Sequence, residues 1–423
     1  MKSALVICIS LLSISLTVQA DYVEVVRNAN IYEEANSSSQ KVKKALRGET
    51  YILVLTDQKN GYFNIAIPNS NRTGWVYRTL VRRYPGLPDG YEHIAIEEEV
   101  KVHIIDVGAG LGTVIELPEN KWVIYDAGHY RGGSDTRYHQ FETILPENAE
   151  IELMVLSHTD GDHIGAAGEI LRKHKVRKLL WTGYEKSMIS SSEPTASFTR
   201  ITEALSEIDY NIDNINLNQR DSTITPGIQL KYGEVTLTFL CGFGEPESTW
   251  DLNSNGERLN SVSIVMKLEY EGKSILFCGD AVGRHIGDPD NSIIATEAYM
   301  VQNAKDWLDS DIIIAPHHGA DNGSSTEFIS LVSPESVIFS SGSYHNHPTR
   351  SAAERYLRSV DINNIYRTDR GDDEEKPDKP YYEWRHGQID GCTDGYGDDD
   401  IQITLHPSSS YTITYLNPNP PCN

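Results

Sequence analysis

The run Leu153-Met154-Val155-Leu156 leads directly into Ser157-His158-Thr159-Asp160-Gly161-Asp162-His163. A strand that is apolar at consecutive positions is buried on both faces, so it needs a layer of structure on each side. Four side chains carrying imidazole or carboxylate donors follow within six residues. The strand fixes their origin, the loop leaves them exposed, and alternate residues project to different sides. These are donors that suit divalent cations. The segment therefore constrains the chain twice, to a layered core and to a polar cluster at a strand end.

The rest of the chain beyond about residue 100 repeats the layered pattern. Apolar strand-like runs at 102–107, 122–125, 236–240, 262–268, 275–278, 312–315 and 337–340 alternate with helical patterns at 164–174 and 196–208, and near 294–304, 325–332 and 350–358. Such alternation predicts an α/β fold. Residues 21–84 read differently, as short alternating strands bounded by Gly, Asn and Ser, which predicts a small all-β unit. The stretch 85–99, opening with Pro85-Gly86-Leu87-Pro88, reads as the linker, and 100–423 as the larger domain.

Residues 1–20 pair Lys2 with an apolar stretch from Ala4 to about Val18, then Val18-Gln19-Ala20 ahead of Asp21. This is the pattern of a secretory signal, so the mature chain is expected to start at Asp21 and to be exported, periplasmic or extracellular. No later apolar run approaches the roughly 20 residues needed to cross a bilayer, so stable membrane insertion is not expected. Of the four remaining cysteines, Cys241 and Cys278 lie in apolar runs and read as buried small residues or a cross-strand pair. Cys392 and Cys422 flank the last hairpin-like segment, where a disulfide would contribute about 3–4 kcal/mol.

The net charge is −24, yet residues 21–84 hold 10 Lys/Arg against 6 Asp/Glu. The acidity of the remainder counts against a tight nucleic-acid binder, because such binding rests on Lys/Arg contacts to phosphates. Nucleic acid then enters only as a substrate.

Two resemblances extend this reading. Asn30-Ile31-Tyr32, Lys41-Val42 ahead of Gly48-Glu49, and Gly74-Trp75-Val76 resemble bacterial SH3-type domains, which implies a targeting module for cell-wall peptides or glycans. His-x-Asp-x-Asp-His is a variant of the His-x-His-x-Asp-His signature of metallo-β-lactamase-fold hydrolases. With Ile105-Asp106-Val107-Gly108, Tyr125-Asp126-Ala127-Gly128, Asn260-Ser261-Val262-Ser263, Cys278-Gly279-Asp280, Pro316-His317-His318-Gly319, His347-Pro348 and Arg367-Thr368-Asp369, the chain resembles the ComEC-type (competence DNA-uptake) branch of that superfamily.

The resemblance implies an αββα sandwich behind a small SH3-like barrel, with two divalent metal ions. Zinc is the first expectation, while Asp160 at the usual second histidine adds a hard ligand tolerant of manganese or magnesium. His158 and Asp160 would hold the first ion and Asp162 and His163 the second, with Asp280 bridging. His317 is the expected further ligand, with His318 or His347 as alternatives, and His318 or His347 would carry the leaving-group proton. Asp106 and Asp126 would hold loops and orient ligands. Two ions sharing a water lower its pKa from about 15.7 toward 7, which predicts hydrolysis of a phosphodiester-type substrate. The competing expectations are another cell-envelope hydrolase and a non-catalytic wall-binding protein. Two departures bear on the substrate. The first loop is Asp106-Val107-Gly108-Ala109-Gly110-Leu111, without the branch's usual amide and second carboxylate, and an acidic Pro/Gly-rich insertion occupies 370–400.

Overall fold

Adjacent side chains of a single strand enter different cores. In Glu150–Leu156, Leu153 and Val155 join one apolar cluster while Met154 and Leu156 join another. This is the physical meaning of the consecutive apolar run.

The computed structural model describes residues 21–54, 59–67, 73–86, 98–129, 138–147, 149–342, 345–369, 384 and 399–416. The signal-like segment, most of the Pro/Gly link, nearly all of the acidic insertion, Cys392 and Cys422 lie outside them. The chain divides into two compact units, Met1–Ile96 and Glu97–Asn423.

In the first unit two small antiparallel sheets share one core. Thr50–Ile52, Tyr22–Val25 and Val81–Tyr84 form one, and Lys41–Ala45, Ala29–Tyr32, Thr73–Tyr77 and Tyr62–Ala66 the other. Val23, Ile31, Tyr51, Ile65 and Val76 fill the space between, and a bridge from Leu53 to Ile65 joins the sheets. Gly74 has a steric reason: a Cβ there would come within 2.3 Å of Ile31 Cγ2.

The second unit has four layers. One sheet runs Asp213–Asn216, Lys178–Trp181, Glu150–Leu156, Lys121–Ala127, Gly112–Leu117, Val100–Ile105, Ile401–His406, Ser410–Tyr415, with Lys175–Val176 beside the third. The other runs Ile228–Tyr232, Val235–Cys241, Val265–Tyr270, Lys273–Phe277, Ile312–Ile314, Ser336–Phe339, Ile365–Arg367. Val123, Tyr125 and Leu153 of the first meet Phe239, Met266 and Ile314 of the second. Helices Ala167–Lys173 and Ala196–Glu207 cover the first sheet through Ile170, Leu171 and Ile201. Ala295–Asn303, Thr326–Val332 and Arg350–Tyr356 cover the second through Met300, Phe328 and Tyr356. This is the αββα metallo-β-lactamase fold, with a small β unit ahead of it.

Two links tie the sheets together beside the strand ends. The Tyr125 hydroxyl donates to the Ile264 carbonyl at 2.6 Å, and Ile264 N–H donates to the Ser157 carbonyl at 2.9 Å. Two expected boundaries need correction. The expected helix at 164–174 is a short turn, Gly161–Ile164, followed by Ala167–Lys173. Val262 closes the helix Asn255–Ser261, so the strand expected from 262 starts at Val265. The hairpin-like tail, Ile401–His406 with Ser410–Tyr415, extends the first sheet beside Val100–Ile105. Cys241 and Cys278 are both buried and unbonded; Cys241 pairs with Val265, and the strand Val265–Tyr270 lies between the two cysteine-bearing chain segments. No described helix is long and apolar enough to cross a membrane.

Candidate metal centre

The parallel strands deliver the polar residues. Lys121–Ala127 runs parallel to Glu150–Leu156, and Lys273–Phe277, Ile312–Ile314 and Ser336–Phe339 run parallel to one another. The loops that leave their carboxyl ends carry His129, the turn 157–163, Asp280, the pair His317-His318, and Ser340. In layered α/β folds such ends are where ligands bind.

Asp280 stands at the middle, with 3% of its side chain exposed. Its Oδ1 lies 3.0 Å from His163 Nε2 and 3.5 Å from His318 Nε2. Its Oδ2 lies 3.7 Å from His158 Nε2 and 3.6 Å from His317 Nε2. Asp160 Oδ2 is 3.8 Å from His158 Nε2, and Asp162 Oδ2 is 3.7 Å from His318 Nε2. Two sets of donor atoms gather closely enough to share an ion, one from His158, His163 and Asp280, the other from Asp162, His163 and His318.

The outer nitrogens decide which way each ring presents its lone pair. His163 Nδ1 donates to Asp126 Oδ2 at 2.8 Å, and His318 Nδ1 to the Ser340 carbonyl at 2.7 Å. Ser157 Oγ donates to Asp126 Oδ2 at 2.7 Å, which leaves it to accept from His158 Nδ1 at 3.0 Å. With Nδ1 as the donor, each neutral ring turns a bare Nε2 inward. His163 Nε2 and His318 Nε2 stand only 3.1 Å apart and both face Asp280 Oδ1. One proton can sit between two of these three acceptors, but not among all three. His158 Nε2 and Asp280 Oδ1 are buried without a hydrogen-bond partner. Buried acceptors left so are costly, and a divalent cation satisfies the whole group together. The donor set therefore fits the implied metal.

The charged groups of the centre also shift one another's protonation. Burial pushes the His163 imidazole down, but Asp280 and Asp126 outweigh it and hold the ring well above its ordinary value. Burial and the neighbouring His163 lower His158 to about 3. Burial, then Asp162 and Asp280, raise the Asp160 carboxyl to about 7. Burial raises Asp162 too, yet its hydrogen bond with His318 and the charge of His163 bring it down to about 2.

The structure separates the two expected histidine candidates. His318 stands with Asp162 and His163, whereas His317 is held at Nδ1 by Asn322 Oδ1 at 2.6 Å and at Nε2 by Asn260 Nδ2 at 3.3 Å. His347 lies beside them, its ring stacked over His318 at 6.4 Å and its Nδ1 buried without a partner. Burial, then His317, His318 and His345, hold His347 well below its ordinary value. Asp126 ties Ser157 and His163, while the Asp106 carboxylate accepts from Gly108 N–H and its backbone N–H donates to Asp400 Oδ1. The first loop supports the ligand turn by backbone: Leu111 N–H donates to the Asp162 carbonyl at 3.0 Å, and a Cβ at Gly128 would meet that oxygen at 1.8 Å.

A cleft of about 620 Å³ opens over the centre, lined among others by His129, Asp160, Ser197, Glu257, His317 and His347. Another of about 740 Å³, over Lys231, Lys267 and Lys273, contains none of these donors. Sequence reasoning missed Asn260, Asn322 and Ser340. Asn260 stood inside a recognised motif; Ser340 acts through its main-chain carbonyl, and Asn322 through a side-chain contact that leaves no pattern in the chain.

The four layers have the metallo-β-lactamase fold, with histidines and carboxylates converging at its strand ends, and residues 105–238 match the model of the metallo-beta-lactamase superfamily. Among curated proteins, the chain is 24% identical over 265 residues to Recombination protein 2 of Haemophilus influenzae, covering 61% of this chain and 26% of that one. It is also 24% identical over 280 residues to ComE operon protein 3 of Bacillus subtilis, covering 62% and 31%. It thus spans about a quarter to a third of the length of these relatives. Among solved structures, the metallo-beta-lactamase fold protein YhfI of Bacillus subtilis aligns with a TM-score of 0.37 at 12% identity, over 64% of this chain and 96% of that one.

Proposed function

We propose that this protein is an exported metal-dependent hydrolase that cleaves phosphodiester bonds, with two divalent cations held across Asp280. The observation that carries the reading is the convergence of His163 Nε2, His318 Nε2 and Asp280 Oδ1, with His158 Nε2 buried and unpartnered on the other side. Asp162, His163 and His318 would hold one cation and His158 and Asp160 the other. His318, rather than His317, completes the first set. Export rests on the signal-like residues 1–20. The unit at 21–84 is read as SH3-like and as the part that meets wall peptides or glycans, a reading supported by its two small sheets around one core.

Bound cations would supply Lewis acidity toward a substrate oxygen and would acidify a water. The chain's own residues do the rest. Asp126 and Ser340 keep the His163 and His318 rings turned inward. Asn260 donates to Asp280 Oδ2 at 3.2 Å and steadies the bridging carboxylate. His347, whose ring stacks on His318 and whose Nδ1 is buried without a partner, is the residue assigned to carry the proton to the leaving oxygen. Phosphodiester cleavage is favoured by the resemblance to the ComEC-type branch, and one matched relative is named a recombination protein. The acidic residues at the cleft, Asp160, Asp162, Glu257 and Asp280, favour a small substrate over a long polyanion.

Metal analysis of the purified chain, with assays on bis-p-nitrophenyl phosphate, DNA and nitrocefin, tests this. One to two equivalents of metal and chelator-sensitive cleavage of the phosphodiester are expected. Absence of binding after addition of zinc and manganese would refute the reading, and turnover of nitrocefin alone would move it to amides.

A further inference from the structure

His317 and His318 both adopt left-handed backbone, with φ of 51° and 56°. Two such residues in succession persist only where their surroundings over-determine them. Just beyond them lies a buried carboxylate that no metal reading uses. Asp321 is 5% exposed, and two nearly inaccessible arginines converge on it. Arg284 Nη1 donates to its Oδ1 at 2.7 Å and Arg355 Nη1 to the same oxygen at 3.0 Å, while Oδ2 accepts from Gly287 N–H at 2.9 Å. Arg284 stands four residues after Asp280; Asp321 stands three after His318. The next residue repeats the link by backbone, since the Asn322 carbonyl accepts from the N–H groups of Gly283 and Arg284 at 2.9 and 3.0 Å.

We propose that Asp321 is a positioning residue, which clamps the loop of Asp280 to the loop of His318 through Arg284 and so sets the separation of those two side chains. Arg355 anchors the clamp to the rest of the fold by donating to the carbonyls of Gly323 and Ser324. The proposal rests on the metal reading above for its purpose, and on the hydrogen bonds alone for its geometry.

Arg284→Met removes the side-chain part of the link, keeps its backbone bonds, and leaves Asp321 paired with Arg355, so no buried charge is orphaned. Arg284→Lys keeps the charge without the forked geometry and serves where the Met variant does not fold. The control is Arg358→Met, which removes a half-exposed pairing with Asp290. In metal-free full-length protein labelled with ¹⁵N at histidine, the clamp variants should lose the single Nδ1–H tautomer pattern of His318. Their zinc affinity should fall about tenfold, as loss of an outer partner does elsewhere. The control should change neither. A folded Arg284 variant with the wild-type imidazole spectrum would overturn the clamp, whatever its zinc affinity. Wild-type protein that takes up no zinc would refute the metal reading instead, and the metal-free spectra would still judge the clamp.

Discussion

The two oxygens of Asp280 face unlike surroundings. On the Oδ1 side, His163 and His318 are nearly inaccessible, and their outer nitrogens are held by a buried carboxylate and a main-chain carbonyl. On the Oδ2 side, His158 is buried as well, but the Asp160 side chain is 34% exposed and His317 already accepts from an amide. A dry donor set loses less on binding a cation than a partly solvated one. On the two-cation reading, the centre would have a stronger half and a weaker half, joined by a single carboxylate.

Breaking the joint should have the largest effect. Asp280→Asn keeps the size of the side chain but removes the charge both halves share. It should stay folded by circular dichroism, lose most bound metal and lose at least about a hundredfold in phosphodiester turnover. Near-normal turnover in a folded variant would end the bridging assignment.

The halves themselves can be pulled apart. His318→Ala should abolish the tighter of two zinc-binding steps in calorimetry, whereas Asp160→Ala should weaken only the looser step. Equal effects on both steps would mean that the asymmetry read from exposure has no energetic counterpart.

The smallest effect is in pH dependence without metal. The Asp160 carboxyl is raised to about 7 by burial and by Asp162 and Asp280, so its protonated form favours the fold. That stabilising contribution is present at acid pH and is lost as pH rises through about 7. In metal-free protein, Asp160→Asn should therefore gain in Tm relative to wild type between pH 6 and pH 8. A Tm difference that stays flat or shrinks across that window would contradict the raised carboxyl.

Much of this centre was legible in the chain because its donors crowd into one turn. His158, Asp160, Asp162 and His163 sit within six residues after an apolar strand, so local covalent spacing brings them together. Asp280 and the pair His317-His318 were readable as strand-end motifs. The choice between His317 and His318 was not. Both follow the same strand, and only the left-handed backbone at the two positions, with Asn322 on one side and Ser340 on the other, sends the rings to different neighbours. The strand Gly112–Leu117 escaped notice although its partners are its neighbours in the chain, and the hairpin-like tail was read without its place beside Val100–Ile105, which lies far upstream.

By itself, then, the sequence determined the layered core and the kind of donor at each strand end, since consecutive apolar residues must be covered on both faces and ligand types are set residue by residue. Only the tertiary structure decided which oxygen of Asp280 meets which ring, which nitrogen of each histidine turns inward, and how Asp321 spans two loops. Those are relations between segments more than a hundred residues apart in some cases, such as His163 and His318. Nothing in local spacing encodes them, because each depends on hydrogen-bond partners that exist only once the sheets have packed.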